Sequence, residues 1–247
     1  MVHWRTWAVG RTFAWILNQQ KTMSQTQELK VAIIGLGAIG RTLAVNLTKG
    51  FRAVMLASRD YTAAQSLANE LGDFAQPREL SAAVDEADII VLAIWFDAIG
   101  EFLQQFATQL DGKIIVDPSN PIAPDPKGGF IKIIGETESA GQINASLLPK
   151  GAKLAKAFGT LGAASLAQAS GQTPEQAVLF YATDDHSIQS AIEELIIDAG
   201  FEPLHVGGLD QSIRLEVFGD LHEFGALGKT VLLDEAKEKL LNPDLAK

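Results

Sequence analysis

Glycines at positions 35, 37 and 40 in "GLGAIG" are spaced so that the chain can turn tightly, bring its backbone against an anion and then pack a helix on the strand it has just left. Backbone N–H groups at the start of such a helix point at the bound group. The chemistry this suits is holding the pyrophosphate of a dinucleotide. A second signal follows in "LASRD", where the second strand ends. NAD-specific sites place an acid there, about 20 residues beyond the glycines, to accept from the ribose 2′-hydroxyl. Here Ser58 and Arg59 occupy the position. A carboxylate would repel a 2′-phosphate, whereas a hydroxyl and a guanidinium donate to it. The pair predicts NADP(H) over NAD(H). Asp60 leaves the other outcome open, since a two-residue change of register makes it the ribose acid; otherwise it is the N-cap of a helix starting near Tyr61.

The elements that must position these residues alternate between short β-branched runs and longer amphipathic stretches, the pattern of βαβ units around a parallel sheet. "KVAIIG", "AVMLAS", "ADIIVLAIW", "GKIIVD" and "GAKLAK" read as strands, with helices in "AIGRTLAVNLTKG", "YTAAQSLANELG" and "IGEFLQQFATQL". "PSNPIAPDPKGGF" holds four of the nine prolines and two glycines, so it reads as a loop, set at a strand's carboxyl end where open α/β sheets bind ligands. Beyond Thr160 come a helix in "LGAASLAQAS", a strand "AVLFYAT", a helix "HSIQSAIEELIIDAG", a strand "PLHVGGL" and a long helical tail from Gln211. The expected fold is α/β, a Rossmann-type doubly wound, mostly parallel sheet with a helical C-terminal extension. Residues 24–160 form the nucleotide-binding part, and 161–247 pack on the same body. Residues 1–23 are basic, hold no acid and carry Trp4, Trp7 and Trp15; they read as an extension ahead of a natural start at Met23.

Composition narrows the function classes. The chain has 247 residues, 47% of them hydrophobic, and a formal net charge of -10, which argues against a nucleic-acid partner. The absence of cysteine excludes disulfides, thiolate metal sites and cysteine nucleophiles and is compatible with a reducing cytoplasm. Four scattered histidines do not suggest a metal cluster. No apolar run reaches the roughly 18 to 20 residues of a membrane span, so a cytoplasmic protein is expected.

The ordered set "GLGAIG", "ASRD", "VLAIWFDAI", "GKIIVDPSNPI", "LPKGAKLAKAFGT" and "DDHSIQSAIEELIIDAGFEPLHVGGLDQSIRLE" resembles the NADPH-dependent reductases of the deazaflavin coenzyme F420, from Leu29 to about Gly219. The resemblance implies that Gly35, Leu36, Gly37, Ala38 and Ile39 cradle the pyrophosphate and that Ser58 and Arg59 hold the 2′-phosphate. It implies that Ala93, Ile94 and Trp95 lie over the ribose and nicotinamide side, with Asn120 and Pro121 near the nicotinamide. It also implies a homodimer, with the C-terminal helical segment as interface. Trp95 stands where such proteins usually carry proline, Phe96 where they often carry tryptophan, Gly159 where asparagine is common and Leu36 where a threonine is often found. Relatives with this domain reduce flavins and metal ions as well, so these departures leave the acceptor open.

Reduction of a ketone or imine needs a placed proton donor, and no residue declares itself as one. Lys156 reads as a strand-flanking residue facing solvent or a phosphate, and His186 as a helix-start residue. Trp95 and Phe96 either stack on a flat acceptor or fill the core, and His222, Glu223 and Phe224 sit in a tail that could fold over the cleft. Hydride transfer between two planar cofactors asks mainly for stacking, alignment and exclusion of water. The expectation is an NADP-dependent oxidoreductase passing a hydride between NADP(H) and a small-molecule redox acceptor, a deazaflavin such as F420 or a flavin. A small-substrate hydroxy acid or imine reductase and a non-catalytic NADP(H)-sensing module are the alternatives.

Overall fold

The computed structural model describes residues 28–241, so the expected extension over 1–23 lies outside the described residues. In chain order the elements are β1 (Val31–Ile34), α1 (Ala38–Lys49), β2 (Val54–Ala57), α2 (Tyr61–Leu71), β3 (Ala75–Pro77), α3 (Leu80–Glu86), β4 (Ile89–Leu92), α4 (Phe96–Gln105) and β5 (Ile114–Asp117). They continue with β6 (Ile122–Pro124), β7 (Phe130–Lys132), α5 (Ala140–Ser146), β8 (Lys153–Lys156), α6 (Ala163–Ala169), β9 (Val178–Tyr181), α7 (Gln189–Asp198), β10 (Glu202–His205), α8 (Ser212–Leu215) and α9 (Leu233–Leu241). Single 3-10 turns precede α7 and α8.

Six strands pair in the order β3-β2-β1-β4-β5-β8, all parallel. This is the doubly wound arrangement, in which the order reverses between β1 and β4 and opens a crevice at the carboxyl ends. Every residue of β1, β2, β4 and β5 is buried. Alternate residues serve opposite faces: Val31, Ile33, Val54, Leu56, Ile89 and Val91 belong to one core cluster, and Ala32, Ile34, Met55, Ala57, Ile90 and Leu92 to the other. A strand covered on both faces has no polar side to show, which is why these segments read as unbroken apolar runs. Strands β9 and β10 form a parallel pair joined to the edge of β8 by an antiparallel bridge between Lys156 and Ala182.

Two expectations fail. "PSNPIAPDPKGGF" is not all loop, because Ile122–Pro124 and Phe130–Lys132 pair as an antiparallel hairpin. Proline at the tip-side end of a short two-stranded ribbon costs little, since it removes a donor only where no further strand waits. The tail from Gln211 is not one long helix either. After α8, residues 216–232 run as turns before α9 begins. Gly219 and Gly225 pack backbone against backbone there, and a Cβ on Gly225 would run into the Gly219 carbonyl. Helical periodicity alone hid that compact loop.

Candidate functional site

The turn after β1 is built as its spacing demands. Gly35 has φ +95°, and a Cβ there would collide with the Ala93 carbonyl. A Cβ on Gly40 would strike the Gly35 carbonyl, so only glycine lets α1 start this close to β1. Gly37 differs, because a Cβ there would meet nothing within 4 Å. It faces open space that a bound group can fill.

That space is a cleft of about 600 Å³ at the carboxyl edge of the sheet. Gly37, Ala38 and Ile39 line it, as do Ala93, Ile94 and Trp95 from the end of β4 and Asn120 from the turn after β5. Gly35 and Leu36 form the turn beneath. Pro121 is buried, and its carbonyl accepts from Ile133 N, just past β7, at 2.9 Å. Ser58 and Arg59 stand apart from the cleft at the carboxyl end of β2, Arg59 exposed and Ser58 half-buried. Ser58 donates to the Asp60 carbonyl at 2.6 Å. The Asp60 carboxylate accepts from Thr62 N at 2.9 Å, the N-cap role of the two considered for it. The Asp60 carboxylate is engaged at the start of α2, and a hydroxyl and an exposed guanidinium beside it fit a phosphorylated dinucleotide.

Other wall residues were not singled out by sequence: Pro118, Ser119, Ile122, Phe130, Val217 and the run Leu161 to Ser165. Their common signal is position, since each follows the carboxyl end of β5 or β8 or belongs to the tail. His222, Glu223 and Phe224 do fold over the cleft. Trp95, Phe130 and Phe224 are 59%, 48% and 58% exposed, leaving large apolar rings in water at its mouth. Such surface gains most when a flat ring covers it.

Behind the wall lies a buried polar network. Lys156 is 1% exposed, contrary to the solvent-facing or phosphate-facing role read for it. Its ammonium meets Asp117 Oδ2 at 3.0 Å and the Ser119 carbonyl. Asp117 is also held by Asn144 Nδ2 at 2.9 Å and accepts from Ser119 N at 2.7 Å. An ammonium buried here without these partners would be costly, so the end of β8 and the turn after β5 must fold as one unit. Nearby, the buried Glu216 carboxylate accepts from Ala140 N and Gly141 N, both at 3.0 Å. Burial pushes its pKa up, opposed by the Lys156 charge and those two amides.

His222 is 1% exposed, and burial lowers its pKa to about 4, with the neighbouring Lys156 charge adding to the shift and a hydrogen bond to the Gly159 backbone opposing it. Its Nδ1 accepts from Phe224 N at 2.9 Å. The imidazole is thus neutral near pH 7 and occupied with backbone, which suits a brace better than a proton donor. His186, the other histidine considered, sits in the 3-10 turn ahead of α7 with Nδ1 3.0 Å from Gln189. Among the described residues no group of three or more His, Cys, Asp or Glu could hold a metal ion, and no helix is long and apolar enough to cross a membrane.

The glycine turn, the strand order and the cleft at the reversal point define a Rossmann-type dinucleotide-binding protein. Residues 30–121 match the family described as NADP oxidoreductase coenzyme F420-dependent. Over these residues the chain is similar to this family of NADP oxidoreductases. It is 26% identical over 200 residues to the F420-dependent NADP reductase of Methanothermobacter marburgensis, covering 76% of this chain and 88% of that protein. It is 29% identical over 187 residues to the metalloreductase STEAP3 of Rattus norvegicus, covering 76% of this chain but only 36% of the rat protein's length. Among solved structures, a hypothetical protein, SMa0349 of Sinorhizobium meliloti, shares 30% identity at a TM-score of 0.72, over 83% of this chain and 96% of that one.

Proposed function

We propose that this protein passes a hydride between NADP(H) and a second bound acceptor, a deazaflavin such as coenzyme F420 or a flavin. The observation that carries the reading is the cleft: a backbone cradle at Gly37 opens directly into an apolar chamber walled by Ile94, Trp95, Phe96, Phe130 and Phe224. Gly35, Leu36, Gly37, Ala38 and Ile39 would hold the pyrophosphate on backbone amides, and Ser58 and Arg59 the 2′-phosphate. Ala93, Ile94, Trp95, Asn120 and Pro121 would flank the nicotinamide end. When bound, NADP(H) supplies or accepts the hydride itself. The chain's own contribution is to align two rings and exclude water, which asks for shape and apolar contact rather than for an acid or base. The neutral, backbone-bound His222 agrees with that division of labour and disfavours a carbonyl reductase needing a proton donor at this wall.

The reading includes a cytoplasmic homodimer joined through the C-terminal segment, where Leu232 and Leu241 are exposed at 41% and 78%; sedimentation of the purified chain tests the association. The function is tested by thermal melting with NADP, NADPH, NAD and NADH, followed by anaerobic oxidation of NADPH with F420, riboflavin and FMN. A ligand at about 100 times its Kd adds about 2.7 kcal/mol, a shift of a few degrees. Melting raised by the phosphorylated cofactors, and loss of NADPH only when a deazaflavin or flavin is present, is the expected result. No shift with any nucleotide sinks the reading.

A further inference from the structure

We propose that the acceptor side of the cleft takes a ring that carries no phosphate or carboxylate, and that Glu223 is the residue that turns anionic acceptors away. The inference deepens the functional reading above and rests on it. Of the side chains lining the cleft, Glu223 alone bears a full charge; His222 is neutral near pH 7, and no lysine or arginine is among them. Two cations that flank the lining are engaged elsewhere. Lys156 meets Asp117 and the Ser119 carbonyl behind the wall, and Lys132, two residues beyond Phe130, donates to the carbonyls of Glu136 and Glu138.

The helix starts around the cleft divide in the same way. Three helices begin on its lining: α1 at Ala38, α4 at Phe96 and α6 at Ala163. The unbonded N–H groups of a helix start favour an anion. In α1 the first turn holds no acid, and Gly37 ahead of it faces open space, so a pyrophosphate can take its amides. The first turn of α4 carries Asp97. At α6 the chain itself supplies the anion, because Glu223 comes in from the tail, 61 residues away in sequence, and its Oε1 accepts from Gly162 N. The cleft thus offers one open end to an anion, and the proposed dinucleotide uses it.

What remains for a second molecule is apolar surface on Ile94, Trp95, Phe130 and Phe224, with a carboxylate in the same lining. A flat uncharged ring gains from covering these side chains. A phosphate drawn into the same chamber loses its water without meeting a cation, and Glu223 repels it through a medium that screens less than water does. The repulsion acts at a distance, so it needs no contact between the carboxylate and the acceptor. Among flavin-type and deazaflavin-type molecules, the cleft favours the form that ends in its sugar alcohol over the form extended by a phosphate.

Riboflavin and FMN differ by one phosphate and so isolate the charge. Two measurements on the full chain test the proposal: oxidation of NADPH with each acceptor under nitrogen, and quenching of flavin fluorescence as each binds to protein saturated with NADP. Wild type prefers riboflavin about tenfold in kcat/KM and in Kd, which is about 1.4 kcal/mol. Glu223→Gln keeps an acceptor for Gly162 N and removes the charge, and in both measurements the preference for riboflavin over FMN falls toward one. A ratio within one protein cancels any general loss of affinity or stability in the variant. Equal use of the two flavins by wild type, or preference for FMN, overturns the proposal, as does a preference that Glu223→Gln leaves unchanged. A protein that turns over F420, which carries a phosphate, but not riboflavin overturns it as well. Oxidation of NADPH with none of the three acceptors overturns the functional reading itself, and this proposal with it.

Discussion

The Val217 amide donates to the Asn120 side-chain carbonyl at 2.7 Å across 97 residues of sequence, and the same side chain donates to the Gly159 carbonyl at 3.0 Å. One amide thus ties together the turn after β5, the turn after β8 and the C-terminal tail. Asn120→Asp keeps the acceptor but faces the Gly159 carbonyl with an oxygen. It should cost about 1–3 kcal/mol, read by urea denaturation, and weaken NADP(H) binding by loosening the cleft wall. An unchanged denaturation midpoint would show the clamp to be idle.

Gly40→Ala and Gly37→Ala, three residues apart, should behave in opposite ways. The added methyl at 40 strikes the Gly35 carbonyl and should lower stability severely, whereas at 37 it meets no protein atom within 4 Å. Gly37→Ala should melt close to wild type and lose most of its stabilisation by NADP, because the methyl occupies the cradle. Circular dichroism melts with and without nucleotide separate the two effects.

Arg59→Ala should reduce NADP affinity about tenfold or more, the loss of one charge-assisted contact to phosphate at about 1.5–3 kcal/mol, and leave NAD affinity almost unchanged. Asp60→Ala should instead cost about 1 kcal/mol of stability as a lost N-cap without altering cofactor preference. Titration of both variants with the two nucleotides checks the pair, and a gain of NADP over NAD in Asp60→Ala would make Asp60 the ribose residue.

His222 gives an acid dependence with a definite sign. Its native pKa is about 4, against about 6.5 unfolded, so in this window the unfolded chain binds a proton that the native one refuses. The stability associated with the neutral imidazole is complete above pH 6.5 and is lost as pH falls toward 4. Glu216, with its pKa raised by burial, works in the opposite direction, so the comparison must be with a variant at 222 alone. His222→Asn retains an acceptor for Phe224 N and does not titrate. Wild type minus variant stability, from denaturant titrations at stepped pH, should shrink between pH 6.5 and 4.

Lys156→Met leaves Asp117 buried without its cation and should cost about 3–5 kcal/mol. Lys156→Met combined with Asp117→Asn should recover part of that loss, whereas additive losses would mean that the ion pair carries no coupling.

The order of the sheet and its nucleotide turn could be read directly because they depend on local pattern. Fully buried strands are apolar throughout, and the spacing of the glycines in "GLGAIG" is itself a local signal, with Gly40 answering to the Gly35 carbonyl inside the same motif. The wall of the cleft could not be read that way. Ser119 and Val217 are ordinary residues until the fold joins them, and Lys156 carries no sign in "AKAFGT" that Asp117, 39 residues earlier, will neutralise it. The tail misled because its glycines serve a close approach of two backbone turns, a contact that no helical periodicity describes.

The position of that tail governs the order in which the site can be made during synthesis. The residues proposed to grip phosphate all lie before residue 60, whereas Val217, His222 and Phe224, which line the same cleft, are synthesised long after them. The segments proposed to take the two halves of a dinucleotide are thus separated in the order of synthesis as well as across the sheet. On the proposed function, the wall that keeps water from the transferring hydride is the part of the cleft made after everything it must close upon, and the Val217 clamp on Asn120 is what joins the two.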